Sequence, residues 1–385
     1  MRLKKLNEWT SLTEGNKSLK LSIPSDVKKI HKLFKKNKKQ LYIVGGAVRD
    51  TILGQRPKDF DLATDALPEE VIKIIKSGGF KIAKEVGESF AIIFVSTPSG
   101  EYEIATFRED IGKGRRPDSV KFSTIEKDVL RRDLTINALF YDIDKEEIVD
   151  LVGGVLDLEG KKIRSVGSSI ERFEEDALRK LRALRFAARI GGKLDKEVHD
   201  ALITDNSLPE VSPQRIREEL KGGIEKSKNP IEFLDLINQY SFWDNTFPKI
   251  QINKKFVKTN NWVVQLAELL KPNDMKSISE YMKVSLGYSN EEINAIEFMH
   301  FLLGFDPETQ LMEGISKKDK KGVDIKDALL FAKLNKIDKK YVIGLFNHKI
   351  TTKGNDLEMK GLKGSAIGDK IKQIEYKKFK RKYLS

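Results

Sequence analysis

The sequence predicts an α+β protein, with an α/β head over about residues 25–165 and an all-helical remainder. Two observations carry this. Short apolar runs bounded by glycine, proline and aspartate recur up to about residue 150 and read as strands. Beyond about residue 170, Phe173, Ala177, Leu181, Leu184 and Ala188 recur at helical intervals. A length of 385 residues is too great for one simple core. The expected division is an arm at 1–24, the head at 25–165, and helices subdivided near 225.

Within the head, Val27 to Phe34 has helical spacing and ends in a basic run. Leu41 to Val44 reads as a strand, and Gly45-Gly46 leads into a helix stopped by Gly54. Phe60 and Leu62 are expected on a second strand, with Asp59 and Asp61 on the same stretch. Pro68 opens another helix. Phe90 to Ser96 and Tyr102 to Phe107 read as strands about a Pro98-Ser99-Gly100 turn. Residues 108–119 read as a loop rich in glycine and arginine, and Glu147 to Leu151 as a last strand.

Composition narrows the class. Lysine and arginine number 71 against 58 acids, and the resulting +13 charge points to a polyanionic partner. A generally lysine-rich composition would give the same balance. There is no cysteine, which removes disulfides, thiolate metal sites and a cysteine nucleophile. No apolar run approaches the roughly 20 residues of a spanning helix, and the N-terminus lacks a signal-peptide core. A soluble cytoplasmic protein is expected. No oligomeric state is legible.

Chemistry concentrates in a few motifs. In Gly45-Gly-Ala-Val-Arg-Asp50, a strand, a glycine pair and a helix start bring free amides beside a phosphate, with Arg49 one turn on. Alone, this would be an ordinary strand-to-helix turn. Asp59 and Asp61, two apart on a strand, would share a face about 6.6 Å apart and hold divalent ions. Two-metal sites keep their ions about 3.5–4 Å apart. The hard oxygen ligands make Mg²⁺ the expected metal. Glu103 is the candidate third carboxylate, although Glu101 has the same parity. In Arg131-Arg-Asp-Leu-Thr-Ile-Asn-Ala138, Arg132 suits triphosphate oxygens, Asp133 an arginine, and Asn137 a sugar hydroxyl.

Glu175-Asp-Ala-Leu-Arg179 opens a predicted helix on which Asp176 and Arg179 are neighbours. The pair fits a surface ion pair or a base selector. An aspartate accepts from an exocyclic amine and an arginine donates to the adjacent ring position. Cytosine and adenine satisfy both, whereas guanine and uracil present a carbonyl to the aspartate. The mismatch leaves a buried polar group unpaired, at about 1–3 kcal/mol. Arg182 and Arg185 follow at intervals of three, and that row drifts around the helix, so Arg185 should point away from Asp176.

In order, these motifs, together with Asp150-Leu-Val-Gly-Gly154 and Ser212-Pro-Gln-Arg-Ile-Arg-Glu-Glu219, resemble those of the class II tRNA nucleotidyltransferase and poly(A) polymerase family. The resemblance spans about 41–220. It implies a head with a small mixed β-sheet and flanking helices, a helical neck at 166–225, and a helical body and tail at 226–385 that bind tRNA. It implies Mg²⁺ at Asp59 and Asp61, with Glu103 in support. By position, Gly45, Gly46, Arg49, Arg132, Asp133, Asn137, Asp176, Arg179, Arg182 and Arg185 match the nucleotide site.

Among the members, CCA-adding enzymes extend tRNA 3′ ends from CTP and ATP. Others add only CC, only A, or a poly(A) tail. Val86 to Val95 lacks the arginine-rich segment usual in bacterial poly(A) polymerases, and Asn355 to Gly364 with Ala366 to Gly368 resembles a segment common in CCA-adding relatives. The loop carrying Arg115, Arg116 and Pro117 fits the segment needed to switch from C to A. The resemblance thus favours CCA addition over its alternatives, poly(A) or partial addition, or an inactive RNA-binding protein. His199-Asp200 resembles half of a phosphohydrolase metal signature, but only four histidines are present and no such site is expected. Lys370 to Lys382 carries seven basic residues against one acid, which fits either a tRNA grip or a solvated helix.

Overall fold

The computed structural model describes residues 21–86, 92–112, 119–227, 230–253, 255, 257, 259–358 and 362–384. The chain divides into two compact units, Met1–Asp205 and Asn206–Ser385.

The first unit is built on a seven-stranded mixed sheet of order β3-β4-β5-β2-β1-β8-β9. The strands are β1 Leu41–Val44, β2 Asp61–Thr64, β3 Lys81–Val86, β4 Ile92–Thr97, β5 Gly100–Thr106, β8 Phe140–Asp142 and β9 Glu147–Val149. Only β2 and β5 pair in parallel within this sheet, with Leu62 opposite Ile104. The helices Ser25–Lys36 and Pro68–Ser77 place Val27, Ile30, Phe34, Val71, Ile74 and Ile75 in the core. These are the apolar positions that their periodicity marks. Phe107 and Phe140 pack with Val44, Ala63, Val129 and Ala138 in a cluster at the middle of the sheet.

Several expectations are corrected. Residues 1–20 of the arm lie outside the described residues, but Leu21 is buried, so the arm's end packs on the head. Asp59 precedes β2 and is not on the strand. Part of the expected 108–119 loop is a hairpin, β6 Arg108–Ile111 with β7 Ser119–Phe122. Arg115, Arg116 and Pro117 lie outside the described residues. Strands β3 and β8 were not anticipated; in β3 the run Lys81-Ile-Ala-Lys-Glu-Val86 lacks the period-two alternation that marks a strand. Glu175 to Arg185 is not one helix. The Ser169–Glu175 helix ends at Asp176, whose extended backbone (φ −152°) separates it from Leu178–Ile190. The region beyond 170 also holds one short strand, Lys193–Leu194, parallel to Lys162–Ile163.

The second unit is helical. Its helices open on side-chain caps that the sequence supplies, among them Asn261, Asp274, Ser289, Asp306, Asp324 and Asp338. Phe247, Tyr288 and Trp262 stack in series, with ring centroids 6.2 Å apart at each step. The final helix, Ser365–Phe379, is anchored by buried Phe379 and buried Glu375. Glu375 accepts from His348 Nε2 at 2.8 Å, the Thr352 amide at 2.9 Å and Lys378 at 2.8 Å. One side of the basic tail is therefore fixed to the core.

Candidate active site

The site begins where β1 ends. Gly45 follows Val44 with φ +70°, a conformation that L side chains rarely adopt, and its amide donates to Leu139 O at 2.8 Å. The helix Gly46–Ile52 starts there. Across β1, Val44 pairs with Asp61, which puts the first residue of β2 beside the glycine turn. On the other side of β2 the parallel register sets Glu103 level with Asp61, because Leu62 faces Ile104. Glu101 lies one strand repeat further on and is exposed. Register thus separates the two glutamates that alternation left equivalent.

Electrostatics ties the carboxylates together. Desolvation by the surrounding cleft, and then the negative charge of Asp59, push the Asp61 carboxyl above the usual range, although the residue opens to solvent at the strand's start. Burial, and then Asp61, push Glu103 up in the same way. Arg132 opposes both shifts, and Arg108 and Arg131 also oppose the second. Like-charged oxygens held together in a partly desolvated cleft favour a cation among them. Among the described residues no group of three or more His, Cys, Asp or Glu is arranged to hold a metal ion, so at most two carboxylates would serve as ligands. This donor set fits Mg²⁺, which keeps water and substrate phosphates as ligands and needs one or two carboxylates from the protein. Asp59 also lines a cavity of about 410 Å³ with Arg56, Lys58, Phe60 and Glu101.

Arg132 is fixed by Asp128, at 3.1 Å through Nε and 2.8 Å through Nη2, and lies over the Phe140 ring at 4.8 Å. Arg131 bonds the other oxygen of Asp128 at 2.7 Å. Asp128, absent from the sequence reading, was findable from its spacing of three and four before the arginines on a helix. Asp133 takes Arg182 through Nε and Nη2, each at 2.7 Å, and this guanidinium holds its carboxyl at about 2 despite burial. Asn137 Nδ2 donates to Asp133 at 3.4 Å, and Asn137 Oδ1 accepts from Arg49 Nη1.

Arg49 was expected to face phosphate. The structure buries it, with Nε and Nη2 on Asp50 at 2.9 and 2.8 Å and the guanidinium 4.8 Å from the centre of the Phe186 ring. Arg185 and Arg182 approach that ring at 4.4 and 5.6 Å. Arg182 and Arg185 thus both lie against the Phe186 ring. Asp176 sits at the break between helices, where Oδ1 accepts the Leu178 amide at 3.2 Å. Arg179 bonds Glu175 at 2.6 Å and the Arg131 carbonyl at 2.9 Å, so its carboxylate partner here is Glu175. Asp50, Glu175, Phe186 and Arg189 are the further residues the structure adds.

A glycine turn, carboxylates on neighbouring strands and an arginine-bearing helix thus meet in the first unit. Residues 41–164 match the Poly A polymerase head domain. The chain is 42% identical over 186 residues to the CCA-adding enzyme of Bacillus pumilus (strain SAFR-032), covering 47% of this chain and 45% of that one. It spans about half the length of the curated relatives it matches. Among solved structures, the Bacillus stearothermophilus CCA-adding enzyme in complex with CTP superposes with a TM-score of 0.68 at 22% identity, covering 94% of each chain. The Thermotoga maritima CCA-adding enzyme complexed with tRNA gives 0.66 at 21%, covering 98% of this chain and 95% of that one. These two likenesses establish the fold.

Proposed function

We propose that this chain is a template-independent RNA nucleotidyltransferase that adds CCA to tRNA 3′ ends from CTP and ATP, releasing pyrophosphate. The observation that carries it is the register that sets Asp61 beside the Gly45 turn and level with Glu103, with Asp59 two residues before it. The resemblance of the head to CCA-adding enzymes supports the product.

Asp59 and Asp61 would hold Mg²⁺, which when bound supplies charge for the attacking 3′-hydroxyl and the departing pyrophosphate. Glu103, level with Asp61 on the next strand, would add to the negative field. Gly45 and Gly46 let triphosphate oxygens approach the backbone, and Arg132, held by Asp128, adds positive charge beside them. Asn137 would offer Nδ2 to a sugar hydroxyl, its Oδ1 being held by Arg49. Asp176 and Arg179 read the base: an acceptor beside a donor admits C and A and rejects G and U. Arg179 would exchange Glu175 for the base, since its present partner occupies the donors that reading requires. Arg182 and Arg185 complete the arginine face of the helix. We propose the same division of labour for the regions, with residues 166–225 as neck and 226–385 as the tRNA-binding body and tail.

The test is tRNA lacking CCA, incubated with Mg²⁺ and CTP, ATP or both, with sequencing of the added ends. Three ordered additions are expected. Long A tails would make the protein a poly(A) polymerase, and no incorporation would make it a binding protein. Asp59→Ala should reduce incorporation by a factor of about 10³ or more while sparing tRNA binding, about 4 kcal/mol of transition-state stabilisation. Chelation of the metal should do the same.

A further inference from the structure

The helix Leu178–Ile190 touches the head's motifs twice, and the two contacts close a ring. Arg182 grips Asp133 through two nitrogens. Asp133 accepts from Asn137, and Asn137 accepts from Arg49. Arg49 donates twice to Asp50 Oδ1. Asp50 Oδ2 then accepts from Arg189 Nη2 at 2.8 Å. Arg182 and Arg189 are two turns apart on one helix face, so the chain of polar contacts begins and ends on the same element. Phe186 lies between them and carries Arg49 on its ring.

This arrangement does more than bury charge. Arg49 lies one turn into the helix that starts at Gly46, and it is buried with Asp50 as its carboxylate partner. Asp50 is shared between that helix and Arg189, so its position is set from outside the head motif. We propose that Arg189 is a positioning residue which, through Asp50, Arg49 and Asn137, fixes the Gly45–Gly46 turn in the geometry that receives the triphosphate. It rests on the reading that this turn takes nucleotide phosphates. The helix whose N-terminal end carries the base-reading pair thereby also sets the phosphate end of the site.

Arg189 meets Asp50 through a single nitrogen. A lysine ammonium reproduces that contact, whereas glutamine lacks the charge. The test is equilibrium binding of CTP and of CMP, with Mg²⁺, to the parent, Arg189→Gln and Arg189→Lys, beside thermal unfolding of each. The parent should prefer CTP. In Arg189→Gln the CTP-to-CMP preference should fall about tenfold, or 1.4 kcal/mol, with CMP binding held. Arg189→Lys should recover most of it. Equal preference in parent and Arg189→Gln overturns the relay, as does loss of CMP and CTP binding together, or failure of lysine to rescue a folded protein. A parent that binds CTP no better than CMP overturns it too. A parent that prefers CTP yet transfers nothing to any RNA overturns the proposed activity and leaves the relay intact.

Discussion

At Asp133, one carboxylate organises two arginine-bearing segments, and its charge state is a stability property. Its carboxyl lies at about 2 in the folded protein, below the roughly 3.9 of an unfolded aspartate. A depressed value means that the folded state favours the ionised form. The contribution is therefore complete above about pH 4 and drains away as the pH falls through 2. Asp133→Asn should lower stability at pH 6 by about 1–3 kcal/mol, the range for hydrogen bonds to a charged group. The deficit relative to the parent should shrink at pH 3 and below. Urea unfolding at the two pH values checks this. What the sequence spacing does dictate is local: Asp59 and Asp61 fall just before and at the start of β2, and Arg132 and Asp133 just after the Ile125–Leu130 helix. Partnerships were read less well. Arg49 was assigned to phosphate because its neighbours along the chain permit it. Its burial depends on Phe186 and Asn137, residues far away in sequence, and no periodicity encodes them.

Elements divide the same way. Strand β1, the glycine turn and the Gly46–Ile52 and Pro68–Ser77 helices were legible, because each is an uninterrupted local pattern. The break at Asp176 was not, since Glu175 to Arg185 carries good helix formers throughout. An Asp side chain that caps the following helix competes with continuation, and here it wins. The β6–β7 hairpin was hidden by charged residues on strands that lie outside the main sheet. In the second unit, Gly223 sits within the helix Pro213–Lys226, where an added Cβ would lie 2.2 Å from the buried Phe233 ring. Gly223→Ala gains helix propensity of up to about 1 kcal/mol. Overpacking should outweigh it, for a net loss of about 1–2 kcal/mol. A lower denaturation midpoint with unchanged slope is the expected reading; a stabilised variant would refute the packing argument.

Over the whole molecule, the excess of 13 positive charges concerns association more than folding. If tRNA is held through six to ten phosphates, raising salt from 50 to 200 mM should weaken binding by roughly 10³–10⁵-fold. A filter-binding series checks this, and a flat salt response would mean that the charge serves something else. The sheet order has a different implication, for the timing of synthesis. Its central strand β2 is bracketed by β1, made just before it, and by β5, made well after it. The far edge of β1 waits longer still, for Phe140–Asp142. Asp61 thus leaves the ribosome early and stands on an unfinished sheet until Glu103 arrives, with Arg132 later again. A nascent chain passes through a stage in which the β1 edge is bare and open to pairing with foreign strands. Non-local closure of this kind is slow. Asp59, Asp61 and Glu103 are made before Arg108, Arg131 and Arg132, which oppose their charge, so the acidic groups of the cleft wait for their balance until synthesis has passed Arg132.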